Sequence, residues 1–185
     1  MGSMCSIALI AVAALLLPGP AAAEPRLVFD STTGVAEIPF QLYGNHIYVR
    51  GRVGDSDSLW IVLDTGASTA SISDSKAKAL GLAIAPGGTS RGAGGTVESG
   101  VVSGASIRMP GLALVDERLS TLPIDAIEVQ TGRPMDVIVG HDLLSRAVVE
   151  IDYAARMLRI RDPAKFKTTT AWRRCRSRSS RTCPT

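Results

Sequence analysis

Histidine and cysteine are nearly missing from this 185-residue chain, and that scarcity removes most of the common catalytic chemistries. The three cysteines, Cys5, Cys175 and Cys183, all lie near the termini. The body between them therefore holds neither a cysteine nucleophile nor a thiolate zinc site. Any Ser–His pair would have to use His46 or His141, and no histidines and acids cluster at metal-ligand spacing. Neither a metal nor a cofactor is expected. Aromatic residues make up 4% of the chain against 18 glycines, a composition of strands and turns rather than of a helical bundle. The length supports about one domain, which excludes large multidomain enzymes. There is no internal repeat.

Charge of one sign is missing from the C-terminal end. Residues 1–164 hold all 17 acidic residues, whereas residues 165–185 carry Lys165, Lys167, Arg173, Arg174, Arg176, Arg178 and Arg181 with no acid. The net charge of +3 is thus a property of the tail. Dispersed cations without interleaved aromatics do not make a nucleic-acid module, so residues 163–185 read as a basic, disordered tail and no nucleic-acid partner is expected.

At the other end, residues 7–17 form an uncharged apolar run of 11, shorter than the roughly 20 residues of a bilayer span. Pro18-Gly19-Pro20 breaks the run, and Ala21-Ala22-Ala23 offers small residues before Glu24. This pattern predicts a signal peptide over residues 1–23, cleaved after Ala23, with a retained membrane anchor as the alternative. Cleavage implies export to the periplasm or beyond, with no stable membrane insertion. Cys175 and Cys183 would there be free to close a small disulfide loop.

After a lead-in over residues 24–34, short apolar segments alternate with turn residues. Residues 35–42 read as a strand with Ile38, Phe40 and Leu42 on one face, and residues 47–53 as another. Residues 59–63 (LWIVL) are a continuous apolar run of strand length, hence a buried central strand. Residues 73–82 read as a short helix capped by Ser73 or Asp74 and stopped by Gly81. Residues 86–88 and 92–95 read as turns or loops, 96–107 and 112–115 as strands, and the stretch through Pro123 as a loop. Residues 137–139 form a second buried strand, 141–146 a helical turn, and 148–153 with 157–161 a closing hairpin. The expected fold is all-β, with one or two short helices.

One feature of this pattern is chemically odd: a buried apolar strand ends in Asp64. Desolvation opposes the charge of a carboxylate delivered to the edge of a core. Thr65 adds a hydroxyl, and Gly66 permits a sharp turn with close approach by other backbone. A strand end with an Asx-turn would account for the tripeptide alone. The wider segment 59–68 (LWIVLDTGAS), followed by a short helix, a Gly-rich hairpin and Val137-Ile138-Val139-Gly140 with His141-Asp142-Leu143-Leu144, resembles the retropepsin-like aspartic proteases, bacterial members included. The likeness extends over residues 38–160.

That resemblance implies a closed β-barrel acid-protease fold, one lobe per chain, over residues 35–162. It implies an aspartic endopeptidase with Asp64 as the catalytic residue and Thr65, Gly66 and Ala67 supporting it. Only one Asp-Thr-Gly occurs here, whereas the chemistry of these proteases takes two acids sharing a proton. The partner is therefore expected to be a second copy of the chain, with Thr65 hydrogen-bonded across the dimer. Gly92, Ala93, Gly94 and Gly95 would form a flap over a peptide or protein substrate. Ala67 in place of serine implies an optimum less acid than in the pepsin-like proteins, and His141 in place of arginine removes one family contact of the dimer. Divergence near Phe166 suggests an altered or truncated C-terminus. The rival readings are a catalytically silent peptide- or protein-binding module and an inactive monomer. A nucleophile elbow in 66–70 lacks its second glycine, and 92–95 is followed by no helix that would make it a dinucleotide fingerprint.

Overall fold

The computed structural model describes residues 24–92 and 95–167. The expected signal peptide, Ala93 and Gly94, and the tail from residue 168 with Cys175 and Cys183 lie outside the described residues. The strands are β1 (Arg26–Phe29), β2 (Val35–Pro39), β3 (Gln41–Tyr43), β4 (His46–Val53), β5 (Leu59–Leu63), β6 (Ser71–Ser73), β7 (Ala85–Gly92), β8 (Gly95–Met109), β9 (Leu112–Leu122), β10 (Val137–Val139), β11 (Val148–Asp152) and β12 (Met157–Arg161). Three short helices interrupt them: α1 (Asp74–Ala79), α2 (Asp125–Thr131) and α3 (His141–Leu144). The chain is all-β, as its composition predicts.

The main sheet runs β9-β6-β10-β5-β4-β8, and β8 pairs again with β9, so six strands close into a barrel. β1 and β7 extend it, and β3 lies on the edge of β4. Closure removes the unpaired edges that an open sheet of this length would leave. Its interior is filled by Ile61, Ile72, Ile107, Leu112, Leu114, Leu119 and Val137, all at or near zero exposure. A second sheet, β11-β12-β2, closes the core with Ile38, Leu158 and Ile160. Each such side chain stabilises the fold by about 1.5–3 kcal/mol through burial, so the apolar core outweighs any single ion pair on the surface.

Five details of the sequence reading change. Leu42 is 37% exposed and does not share a face with buried Ile38 and Phe40, because the chain leaves the small sheet at Phe40 and enters the barrel as β3, which resets the alternation. Residues 86–88 belong to β7, with a bulge between Pro86 and Gly88, since Gly87 packs where a Cβ would stand 2.8 Å from the Ser99 carbonyl oxygen. The strand expected over 112–115 runs on to Leu122. Its polar centre is tolerated because Asp116 turns to φ 61°, breaking the ladder, while buried Glu117 finds a charge partner. A third helix, α2, occupies the region that carried no strand signal. Finally, the stretch over 24–34 is more than a lead-in: β1 pairs with β9 from Arg26–Val115 to Phe29–Leu112.

Ser73 ties two of the helices together. Its hydroxyl accepts from the Lys76 amide to cap α1 and donates to Asp125 at the head of α2 at 2.6 Å. That bond holds the Asp125 carboxyl below the usual aspartate range. On the open face of the second sheet, Glu150 accepts from Arg161 and Arg159 at 3.1 and 3.0 Å, and Arg159 also reaches Glu37.

The bond from Arg161, seconded by Arg159, keeps the Glu150 carboxyl below the ordinary glutamate range. Its contribution is therefore complete above that range and is lost as pH falls through the folded value. Denaturant melts between neutral pH and about pH 3 should show Glu150→Gln with a flatter decline than the parent chain below about pH 5. Identical slopes would remove Glu150 from the acid response.

Candidate active site

β5 is buried from end to end apart from partly covered Trp60, and it stops at Leu63 because the next residue is charged. Asp64 is exposed at that end, as are Thr65 and Gly66, while Ala67 is half-buried. The desolvation expected for Asp64 is thus absent in the single chain. Its amide donates to the Val139 carbonyl at 2.9 Å, continuing the parallel pairing of β10 with β5. The Gly66 amide donates to Oδ1 of Asp64 at 2.8 Å, and the Ala67 amide to its carbonyl at 3.2 Å. The loop therefore folds back on the carboxylate and fixes one of its oxygens.

A second segment forms the floor of this loop. Gly140 follows β10 so closely beneath it that a Cβ would lie 2.4 Å from the Asp64 carbonyl oxygen and 2.5 Å from that of Ala67. The His141 amide donates to the Ala67 carbonyl at 2.9 Å. Asp142 accepts from the Ala70 amide, so the acid at the head of α3 is a strap for the loop. Arg146 donates through Nε to the Asp142 carbonyl, and its Nη1 faces Glu117 at 2.6 Å as a charge contact rather than an aligned hydrogen bond. Glu117 is 2% exposed, so this pair anchors α3 to β9 inside the protein.

These contacts separate structural carboxylates from available ones. Asp136 accepts from the Trp60 amide at 2.7 Å and pairs with Lys76 at 2.9 Å, which commits both its oxygens. Asp142 and Glu117 are likewise engaged. Asp64 alone of this group is exposed, with a single oxygen held by the loop. Asp136, Glu117 and Arg146 had no signal in the sequence pattern, since their partners are distant along the chain.

Of the residues expected to form a flap, Gly92 and Gly95 pair at the end of the β7–β8 hairpin. Ala93 and Gly94 between them are outside the described residues. The structure brings Asp64, Thr65, Gly66 and Ala67 together with Gly140 and His141. It records no hydrogen bond from Gly92 or Gly95 to that loop. Among the described residues no three histidines, cysteines or acids cluster as a metal site would.

Residues 49–143 match a family model described as aspartyl protease. Among solved structures, the chain is similar to a retropepsin-like aspartic protease from Rickettsia conorii, at 18% identity, over 74% of this chain and 92% of that one, with a TM-score of 0.49. No curated protein matches the chain.

Replacing Gly140 by alanine forces a methyl group against two backbone oxygens that have no rotamer to escape into. The expected cost is about 2–3 kcal/mol of stability, read as a lowered thermal midpoint with the loop's amides losing exchange protection first. An unchanged midpoint would refute the tight floor.

Proposed function

This chain belongs to the aspartyl protease family, and from that premise we propose that it is an exported endopeptidase acting as a homodimer through Asp64. The observation that carries the reading is the exposed Asp64 carboxylate at the end of β5, one oxygen held by Gly66 and the whole loop floored by Gly140. Hydrolysis in aspartic proteases generally takes two such acids about 3 Å apart, one charged and one protonated. One chain provides one, so a second copy related by a two-fold axis completes the pair.

In that pair the charged carboxylate takes a proton from water, whose oxygen attacks the scissile carbonyl carbon. The protonated partner gives its proton to the carbonyl oxygen, and collapse of the tetrahedral species passes a proton to the leaving nitrogen. Gly66 keeps one carboxylate oxygen in place throughout. Thr65 lies exposed beside Asp64, in position to bond across the dimer axis. The β7–β8 hairpin, whose last described pair is Gly92 with Gly95, carries the flap, and an extended peptide lies beneath it, held by main-chain hydrogen bonds as an added strand. The chemistry requires no cofactor or metal.

Asp64→Asn should lower kcat/KM on a peptide library by at least about 10³-fold while leaving the fold intact. Adding an excess of the Asp64→Asn protein to the parent should also extinguish activity, because each mixed dimer keeps one acid only. Cleavage that persists in the variant, or a parent that is monomeric by light scattering and still active, would overturn the reading.

A further inference from the structure

The β4–β5 ladder ends one residue short of a histidine on one strand and of the acid of the site on the other. Ile47 pairs with Leu63, Tyr48 with Val62 and Arg50 with Trp60. Ile47, Val49, Ile61 and Leu63 enter the main core, so His46, Tyr48, Arg50, Trp60 and Val62 share the opposite face, and Asp64 follows directly after the last paired residue, Leu63. One further step of this register sets His46 across from Asp64. On its other side His46 pairs with Tyr43 of β3, and both are exposed.

The same face is cationic along its length. The Arg133 guanidinium lies 4.3 Å from the Trp60 ring centroid, 4.8 Å from that of Tyr48 and 5.4 Å from that of Tyr43. Arg50 stacks on Trp60 at 4.3 Å. Aromatic surfaces, with Ser58 accepting from Arg50 and Gln41 from Arg133, hold two guanidiniums in fixed positions, and His46 lies at the end of β4 nearest the Asp64 loop. On β3, β4 and β5 this face has no carboxylate before Asp64. Neighbouring Glu128 is occupied by the Met135 amide at 2.6 Å.

We propose that this wall is a specificity site, with His46 as its determinant nearest the chemistry, and that it selects peptides carrying a carboxylate side chain close to the scissile bond. The inference rests on the reading of Asp64 as the catalytic acid. A peptide bound as an added strand turns alternate side chains toward one wall. A carboxylate close to the scissile bond meets the His46 N–H first, with the guanidiniums farther along the wall, whereas the isosteric amide brings no negative charge to this cationic face. His46 discriminates between substrates and takes no part in bond breaking, so neutral peptides remain substrates.

The test uses matched peptides differing only by Glu or Gln about two to four residues from the cleaved bond, at several pH values between about 5 and 7. The readouts are kcat/KM for the full chain and the dissociation constant of uncleaved peptide on the Asp64→Asn protein. A preference for Glu of roughly five-fold is expected in both. It should vanish in His46→Gln, return in His46→Lys, and persist in Arg108→Gln, which removes an equal charge from an exposed position on β8. Equal binding of both peptides, or a preference that survives His46→Gln, overturns the proposal. If the binding preference behaves as expected but the parent cleaves neither peptide, the wall stands as a recognition site and the protease reading falls.

Discussion

The threading of β10 between β5 and β6 is the constraint from which the rest of the site follows. Only three residues long, β10 pairs parallel to β5 on one side and antiparallel to β6 on the other. Val137 and Val139 are buried, worth about 1.5–3 kcal/mol each, and the shared ladder adds about 1 kcal/mol for each hydrogen bond. This strand ends where the Asp64 loop begins, and Gly140 is the contact surface between them. The loop is held on a backbone floor, with the Asp142 carboxylate as a side-chain strap at its far end. In the proposed dimer, where Asp64 meets a counterpart about 3 Å away, the chemistry would use that rigidity.

The buried polar groups serve the same end at a cost in stability. Asp136 joins β5, α1 and the start of β10, and the Glu117–Arg146 pair joins β9 to α3. Desolvating such pairs offsets most of their attraction, and apolar replacements of equal volume would stabilise a fold at least as well. What they supply here is register: each links elements that are far apart in the chain and that meet around residues 64–70. The half-buried network of Glu37, Glu150, Arg159 and Arg161 is different. It lies on the second sheet, away from the Asp64 loop, and contributes little beyond the pairing of its three strands.

Legibility followed the range of the interactions. The LWIVL run, the Ser73 cap and the 148–161 hairpin were readable because each depends on neighbours within a few residues. Ser73 caps α1 as expected, and the hairpin register from Val148–Arg161 to Asp152–Met157 matches the apolar pattern. The extension of β9 to Leu122 was not readable, since a strand containing Asp, Glu and Arg looks like a loop until Arg146 is seen beside Glu117. Leu42 misled because the alternation holds only within one sheet. α2 escaped because its exposed Ile127 and Val129 break the one-sided apolar stripe that identifies a surface helix.

The order of the short strands, the position of Asp64 at the end of one of them, and the single Asp-Thr-Gly per chain are properties of the amino-acid sequence alone. They are local, because apolar runs and turn residues set where strands begin and end. The tertiary structure decided which acids are committed to holding the fold, why residue 140 must be glycine, and that Tyr48, Trp60 and Arg133 meet on one face of the barrel. Each of these depends on strands that are remote in the chain and adjacent in the barrel. Backbone packing and cross-strand pairing determine them, and neither is encoded within any one segment.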